Sequence, residues 1–215
     1  MKPLLDKSDR RYRLPKRTSV ERLPKCFRWA VLFVLMVPAT LPATADYASA
    51  KKAFDAGDYA TAHKEFLYLA ETGDSSAQTI LGVLYENGAG VEVDKEEAAK
   101  WYRLAAEQGN VAAQTNLGVM YDTGTGMSQD KRKAARWFRA AAEQNSPLAQ
   151  YNLAGLYANG EGVRQDLVQA AELYGSAAEH GFAAAQVKLA KMYGTGKGVV
   201  KNLEEAVRLV QLAAE

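Results

Sequence analysis

One cysteine and two histidines are all the thiol and imidazole side chains that this 215-residue chain carries. Cys26 stands ahead of the only long apolar run, so the chain beyond that run has no thiol. Neither a disulfide framework nor a thiolate nucleophile can be built there. His63 and His180 lie far apart, and no H-E-x-x-H or paired-histidine spacing occurs, so a zinc site lacks ligands. Charge of one sign is missing too: 27 Lys/Arg face 25 Asp/Glu. A nucleic-acid binder needs a clustered basic face to neutralise phosphates, and none stands out. These absences predict a chain without metal, cofactor or catalytic set.

The near-balance of charge hides an uneven distribution. Residues 1–45 hold ten Lys/Arg against three acids (Asp6, Asp9, Glu21), which leaves 17 basic and 22 acidic residues for the remainder. The basic stretch leads into Trp29–Val37, then Pro38 and small residues ending Ala43-Thr44-Ala45. A basic region, a short apolar core and an A-x-A ending read as a secretory signal cleaved after Ala45. The alternative is an uncleaved anchor, although Trp29–Ala45 is 17 residues with two prolines, against the roughly 20 apolar residues a spanning helix wants. The basic region is long for a signal, and a start at Val20 would give a compact one. Arg10-Arg11 stands too far from the apolar core for a typical twin-arginine signal. Cys26 precedes the core and so cannot serve as a lipid anchor.

What the chain does have is a period. Ala77-Gln78 recurs as Ala113-Gln114, Ala149-Gln150 and Ala185-Gln186, each step 36 residues. The same step links Leu81, Leu117, Leu153 and Leu189; Tyr85, Tyr121, Tyr157 and Tyr193; and the pairs Gly88/Gly90, Gly124/Gly126, Gly160/Gly162 and Gly196/Gly198. A period of 20–50 residues marks stacked units that cannot bury their apolar faces alone. The predicted fold is all-α, a solenoid of helix hairpins. Its units are an N-terminal hairpin over 46–73 and repeats over 74–109, 110–145, 146–181 and 182–215.

One repeat shows the physics. Ala113, Leu117 and Tyr121 fall on one helical face, Gly124 ends that helix, and Met127 tucks the loop back on the core. Asp130 is placed to cap a second helix, as are Asp94, Asp166 and Asn202. Asp94–Glu97 and Asn202–Glu205 have capping-box spacing. Ala134, Trp137 or Phe138, Ala141 and Ala142 form the second helix's buried side, with Trp101/Tyr102, Tyr174 and Leu209/Val210 as counterparts. Asn145 closes it in a left-handed conformation, and Pro147 enters the first turn of the next helix. The Gly-x-Gly loops follow helices rather than strands, so they are turns and not phosphate cradles.

These motifs resemble the Sel1-like repeat family, a branch of the tetratricopeptide-like α-solenoids. The pattern A-Q-x-x-L-G-x-x-Y-x-x-G-x-G-V is nearly complete from Ala77, with Ala154 and Ala190 replacing Gly82/Gly118. The resemblance implies a right-handed superhelix that acts as a protein-binding scaffold or adaptor. Some secreted relatives carry a disulfide in each repeat; this chain lacks those cysteines. Other exported relatives modulate envelope polysaccharide production or restrain sensor kinases.

Alignment with the tetratricopeptide pattern places ligand-facing positions on the first helix of each hairpin, along a concave face. These are Thr79, Val83 and Glu86; Thr115, Asn116, Val119 and Asp122; Tyr151, Asn152 and Ala158; then Lys188 and Lys191. They run from acidic to basic, which could orient a peptide. Asn116 and Asn152 can each grip a peptide N–H and C=O, or else satisfy a neighbouring helix.

The expected function is a non-enzymatic, exported scaffold, placed in a bacterial periplasm, that binds a protein or peptide. Nucleic acid is not an expected partner. One alternative is a cell-wall or envelope hydrolase using groove carboxylates such as Glu86 and Asp122. Another is an inner-membrane adaptor whose only membrane contact is an uncleaved N-terminal segment. The final unit reaches Glu215 with Val207, Leu209, Val210 and Leu212 still to be covered, so weak self-association or partner docking is expected there.

Overall fold

The computed structural model describes residues 46–214, and among these it contains ten helices and no strand. The leader, its cleavage point after Ala45 and Cys26 lie outside the described residues. The first hairpin is α1 (Tyr47–Asp55) and α2 (Tyr59–Glu71). Four longer hairpins follow: α3 (Ser75–Asn87) with α4 (Lys95–Glu107), α5 (Val111–Thr123) with α6 (Lys131–Ala142), α7 (Pro147–Asn159) with α8 (Leu167–Glu179), and α9 (Ala183–Thr195) with α10 (Leu203–Leu212). Among the described residues, no helix is long and apolar enough to cross a membrane.

Capping residues set the helix starts. Asp94, Asp130, Asp166 and Asn202 each accept a backbone N–H of their helix's first turn. The capping boxes are only half made. Glu97 accepts Lys100 Nζ at 2.7 Å and Glu205 accepts Arg208 Nε at 2.8 Å, so each turns to a cation three residues on. Asn110 and Ser146 cap α5 and α7, Pro147 occupies the first turn as expected, and Phe182 leaves α9 without a side-chain cap.

Helix ends use left-handed backbone where the chain must reverse. Gly124 closes α5 with φ 76°, and Asn145 has φ 62° after α6. Gly126 has a second reason to be glycine. A Cβ on it would stand 2.3 Å from the Lys95 carbonyl oxygen, at the start of the preceding hairpin's second helix. The loop therefore also welds neighbouring hairpins.

Within a hairpin, an aromatic ring lies on bare backbone. A Cβ on Gly82 would meet the Tyr102 ring at 2.4 Å, and one on Gly118 would meet Phe138 at 2.6 Å. Tyr102 and Phe138 are fully buried, surrounded by alanines such as Ala98, Ala105, Ala134 and Ala141 that allow close helix approach. Each ring contributes roughly 2–3 kcal/mol by burial. In the last hairpin Leu209 is buried, but Val210, the counterpart of Phe138, is 53% exposed.

Each helix packs chiefly on its neighbours in the chain, so contact runs along the stack. Buried amides stitch the hairpins together. Gln78, Gln114, Gln150 and Gln186 donate to the carbonyls of Ala70, Ala106, Ala142 and Ala178 at the end of the preceding helix. A tyrosine ladder adds to this: Arg103 donates to Tyr121 Oη at 3.1 Å and Arg139 to Tyr157 Oη at 2.9 Å.

Candidate functional site

The helices α3, α5, α7 and α9 carry all twelve expected contact positions, and the stack sorts them into three groups. Thr79 and Thr115 are buried and do not face a groove. Their hydroxyls donate back to the Ser75 and Val111 carbonyls at 2.7 and 2.9 Å, and Ser146, which caps the next hairpin, lies 3.3 Å from the Thr115 hydroxyl. The next hairpin seals this position, so the tetratricopeptide register does not transfer here.

A second group stays at least partly accessible. Glu86 accepts the Tyr102 hydroxyl at 2.8 Å. Burial first, and then the nearby carboxylate, push the Tyr102 hydroxyl well above its ordinary pKa, so it stays a donor. Asn116, on α5, is partly buried. Val83 is half-buried against the central core, whereas Val119 is exposed.

The third group converges. Asp122, Tyr151, Asn152, Ala158, Lys188 and Lys191 line one cavity of about 370 Å³ that opens on the first-helix face and draws on three consecutive repeats. Sequence reasoning missed Lys131, Glu161, Tyr174 and Lys197 in its wall. Lys131 Nζ sits 2.8 Å from Asp122 Oδ1 and 2.9 Å from Glu161 Oε2. These two carboxylates raise the Lys131 pKa, and Lys131 lowers that of Glu161. Burial, with a smaller effect from Tyr151, pushes the Tyr174 hydroxyl up to about 12, so it too remains protonated. The Tyr151 ring lies 5.6 Å from that of Tyr174 and 5.2 Å from that of Phe182. The clue to Lys131 was its place at the first turn of α6, where the Gly160–Gly162 loop of the next repeat folds over; a cross-repeat contact of this kind leaves no local spacing to read.

The histidines do not meet. His63 Nε2 is 3.2 Å from Tyr85 Oη, while His180 Nδ1 is 2.8 Å from the Ser176 carbonyl. Among the described residues, no cluster of His, Cys, Asp or Glu could hold a metal ion. The carboxylates named for hydrolysis have separate duties, Glu86 to Tyr102 and Asp122 to Lys131.

Helix hairpins that pack chiefly on their neighbours in the chain define an α-solenoid of repeated helix pairs. The Sel1 repeat pattern matches residues 75–110, 111–146, 147–182 and 183–215, more than half of the chain, which therefore belongs to the Sel1 repeat family. A Sel1 repeat protein from Oxalobacter formigenes is 35% identical with a TM-score of 0.74, over 79% of this chain and 70% of that one. A protective antigen of uropathogenic Escherichia coli strains displaying an SLR fold is 37% identical with a TM-score of 0.71, over 73% of this chain. The match spans only 33% of the length of that antigen. Among curated proteins, none matches the chain. Sel1 repeat proteins generally mediate protein–protein interaction and are typically non-enzymatic scaffolds.

Proposed function

We propose that this chain is a non-enzymatic scaffold that holds a protein or peptide partner against the face formed by α5, α7 and α9. The observation that carries the reading is the cavity on that face, where three successive repeats contribute polar side chains around one opening. A binding surface assembled across repeats suits an extended ligand that crosses them in turn. The basic leader and the apolar run to Val37 support export, and we place the scaffold in a bacterial periplasm, where it would regulate or assemble an envelope partner. N-terminal sequencing of the mature protein tests this placement: a chain beginning at Asp46 supports it, and an intact front favours the anchored adaptor. Capture of envelope proteins by the wild type and by an Asn116→Ala/Asn152→Ala variant tests the binding face. Loss of a partner from the variant supports the proposal, and equal recovery of every partner overturns it.

A further inference from the structure

The cavity between α7 and α9 differs from the rest of the first-helix face at positions 36 residues apart. Where α3 and α5 present Val83 and Val119, α7 presents Gly155 and α9 presents Lys191. Asn116 and Asn152 give way to Lys188, and Glu161 gives way to Lys197. The positive charge therefore gathers only where the glycine opens the floor.

Gly155 is not demanded by packing. The nearest atom to a Cβ placed there is the Tyr174 hydroxyl oxygen at 3.7 Å, an ordinary contact, and its backbone is helical with no positive φ. Glycine in a helix interior costs about 1 kcal/mol relative to alanine. A residue that weakens its own helix while sparing no clash leaves one visible effect, which is space. Gly82 and Gly118, by contrast, are each pressed by an aromatic ring.

The walls define what fits that space. Four lysines and two carboxylates line it. Both carboxylates, Asp122 and Glu161, are bound by Lys131. Lys188, Lys191 and Lys197 form no ion pair with any described residue, so three lysines from one helix and its following loop line the cavity with no carboxylate bound to them among the described residues. The protonated Tyr174 hydroxyl and the Asn152 amide add neutral donors, and the Tyr151 ring adds an apolar side.

We infer that this cavity binds an acidic segment of a peptide, with carboxylates on Lys188, Lys191 and Lys197 and the peptide's neighbouring side chain against Tyr151. The inference rests on the proposed function and names the chemistry of its ligand. An ammonium–carboxylate contact is a charge-assisted bond, stronger than the neutral contacts available elsewhere on the face. The aromatic wall and the restricted volume favour a peptide over a uniformly charged polymer.

Fluorescence anisotropy can decide the matter. One probe is a labelled pool of octapeptides rich in Asp and Glu with one Tyr; its counterpart carries Asn and Gln instead. Heparin and a single-stranded oligonucleotide serve as polyanion arms. The acidic pool is expected to bind more tightly than the amide pool, with affinity falling as salt rises. Lys188→Ala/Lys191→Ala should weaken it about tenfold or more, the size of one charge-assisted contact. Gly155→Val, which restores the residue type of Val83 and Val119, should weaken it similarly with all charges kept. Equal binding of the acidic and amide pools, with sensitivity to Asn116→Ala/Asn152→Ala, overturns the acidic preference and leaves the scaffold reading standing. Tighter binding of heparin or the oligonucleotide than of acidic peptide also overturns it. Failure of both peptide pools to bind overturns this inference, while the scaffold reading is decided separately by the capture of envelope proteins. The three lysines are exposed, so the charge variants keep the fold and the result is readable even where Gly155→Val is compromised.

Discussion

Gln144 Nε2 donates to Gln114 Oε1 at 2.9 Å, joining two amides thirty residues apart. Gln108 and Gln78 make the same bond at 2.7 Å. One repeat later the donor is replaced: His180 stands at the corresponding position, its Nδ1 faces the Ser176 carbonyl, and Gln150 Oε1 is buried without a partner. An unpaired buried acceptor is costly. His180→Gln should therefore restore the ladder and stabilise the protein by about 1 kcal/mol in urea unfolding. A variant no more stable than wild type would show that the acceptor is satisfied by solvent.

Glycine substitutions on equivalent helices should have opposite signs. Gly118→Ala places a methyl against the Phe138 ring and should cost roughly 1–3 kcal/mol through overpacking. Gly155→Ala has room beside Tyr174 and should gain up to about 1 kcal/mol from helix propensity. Paired denaturation curves check this; equal effects would mean that the two helices do not differ in how closely a ring approaches.

The loop glycines separate backbone strain from contact. Gly109 has φ 89° with open space around it, so alanine there meets only the left-handed penalty, about 1–2 kcal/mol. Gly126 combines φ 67° with the Lys95 carbonyl 2.3 Å from a would-be Cβ. Gly126→Ala should lose about 2–4 kcal/mol, and hydrogen exchange should locate the loosening where the α5–α6 loop packs on the first turn of α4.

His63 makes stability depend on pH. Burial lowers its pKa below the ordinary 6.5, so the folded state favours the neutral ring. A depressed folded pKa means that the unfolded chain binds the proton more readily. Stability is full above the unfolded value and falls as pH drops from about 6.5 toward the folded pKa. Lowered carboxylates such as Asp58 and Glu161 act at more acidic pH. Between pH 7.5 and 5.5, His63→Phe, which keeps an aromatic ring beside Tyr85, should flatten the slope relative to wild type.

Much of the fold was legible because each signal was local and repeated. Asp94, Asp130 and Asp166 announce helix starts, Asn145 announces a left-handed end, and the 36-residue step sets the hairpins. Contacts between repeats were not legible. Ala77-Gln78 was visible as a recurrent pair, but that its amide bonds the Ala70 carbonyl depends on the docking of one hairpin on the last. The same docking buries Thr79 and Thr115, which alignment with the tetratricopeptide pattern places on the concave face. Of the site, Tyr151, Asn152, Lys188 and Lys191 could be named from register, whereas Lys131 and Lys197 come from a helix start and a loop that only stacking brings near them.

Position-specific photo-crosslinking shows whether the partner is held on the first-helix face. A photoreactive residue would be placed at Asn152, in the cavity wall, and in a second variant at Arg136, exposed on α6. A crosslinked protein or peptide is expected from position 152, diminished by Lys188→Ala/Lys191→Ala, and none from position 136. Crosslinking from position 136 alone would contradict this expectation.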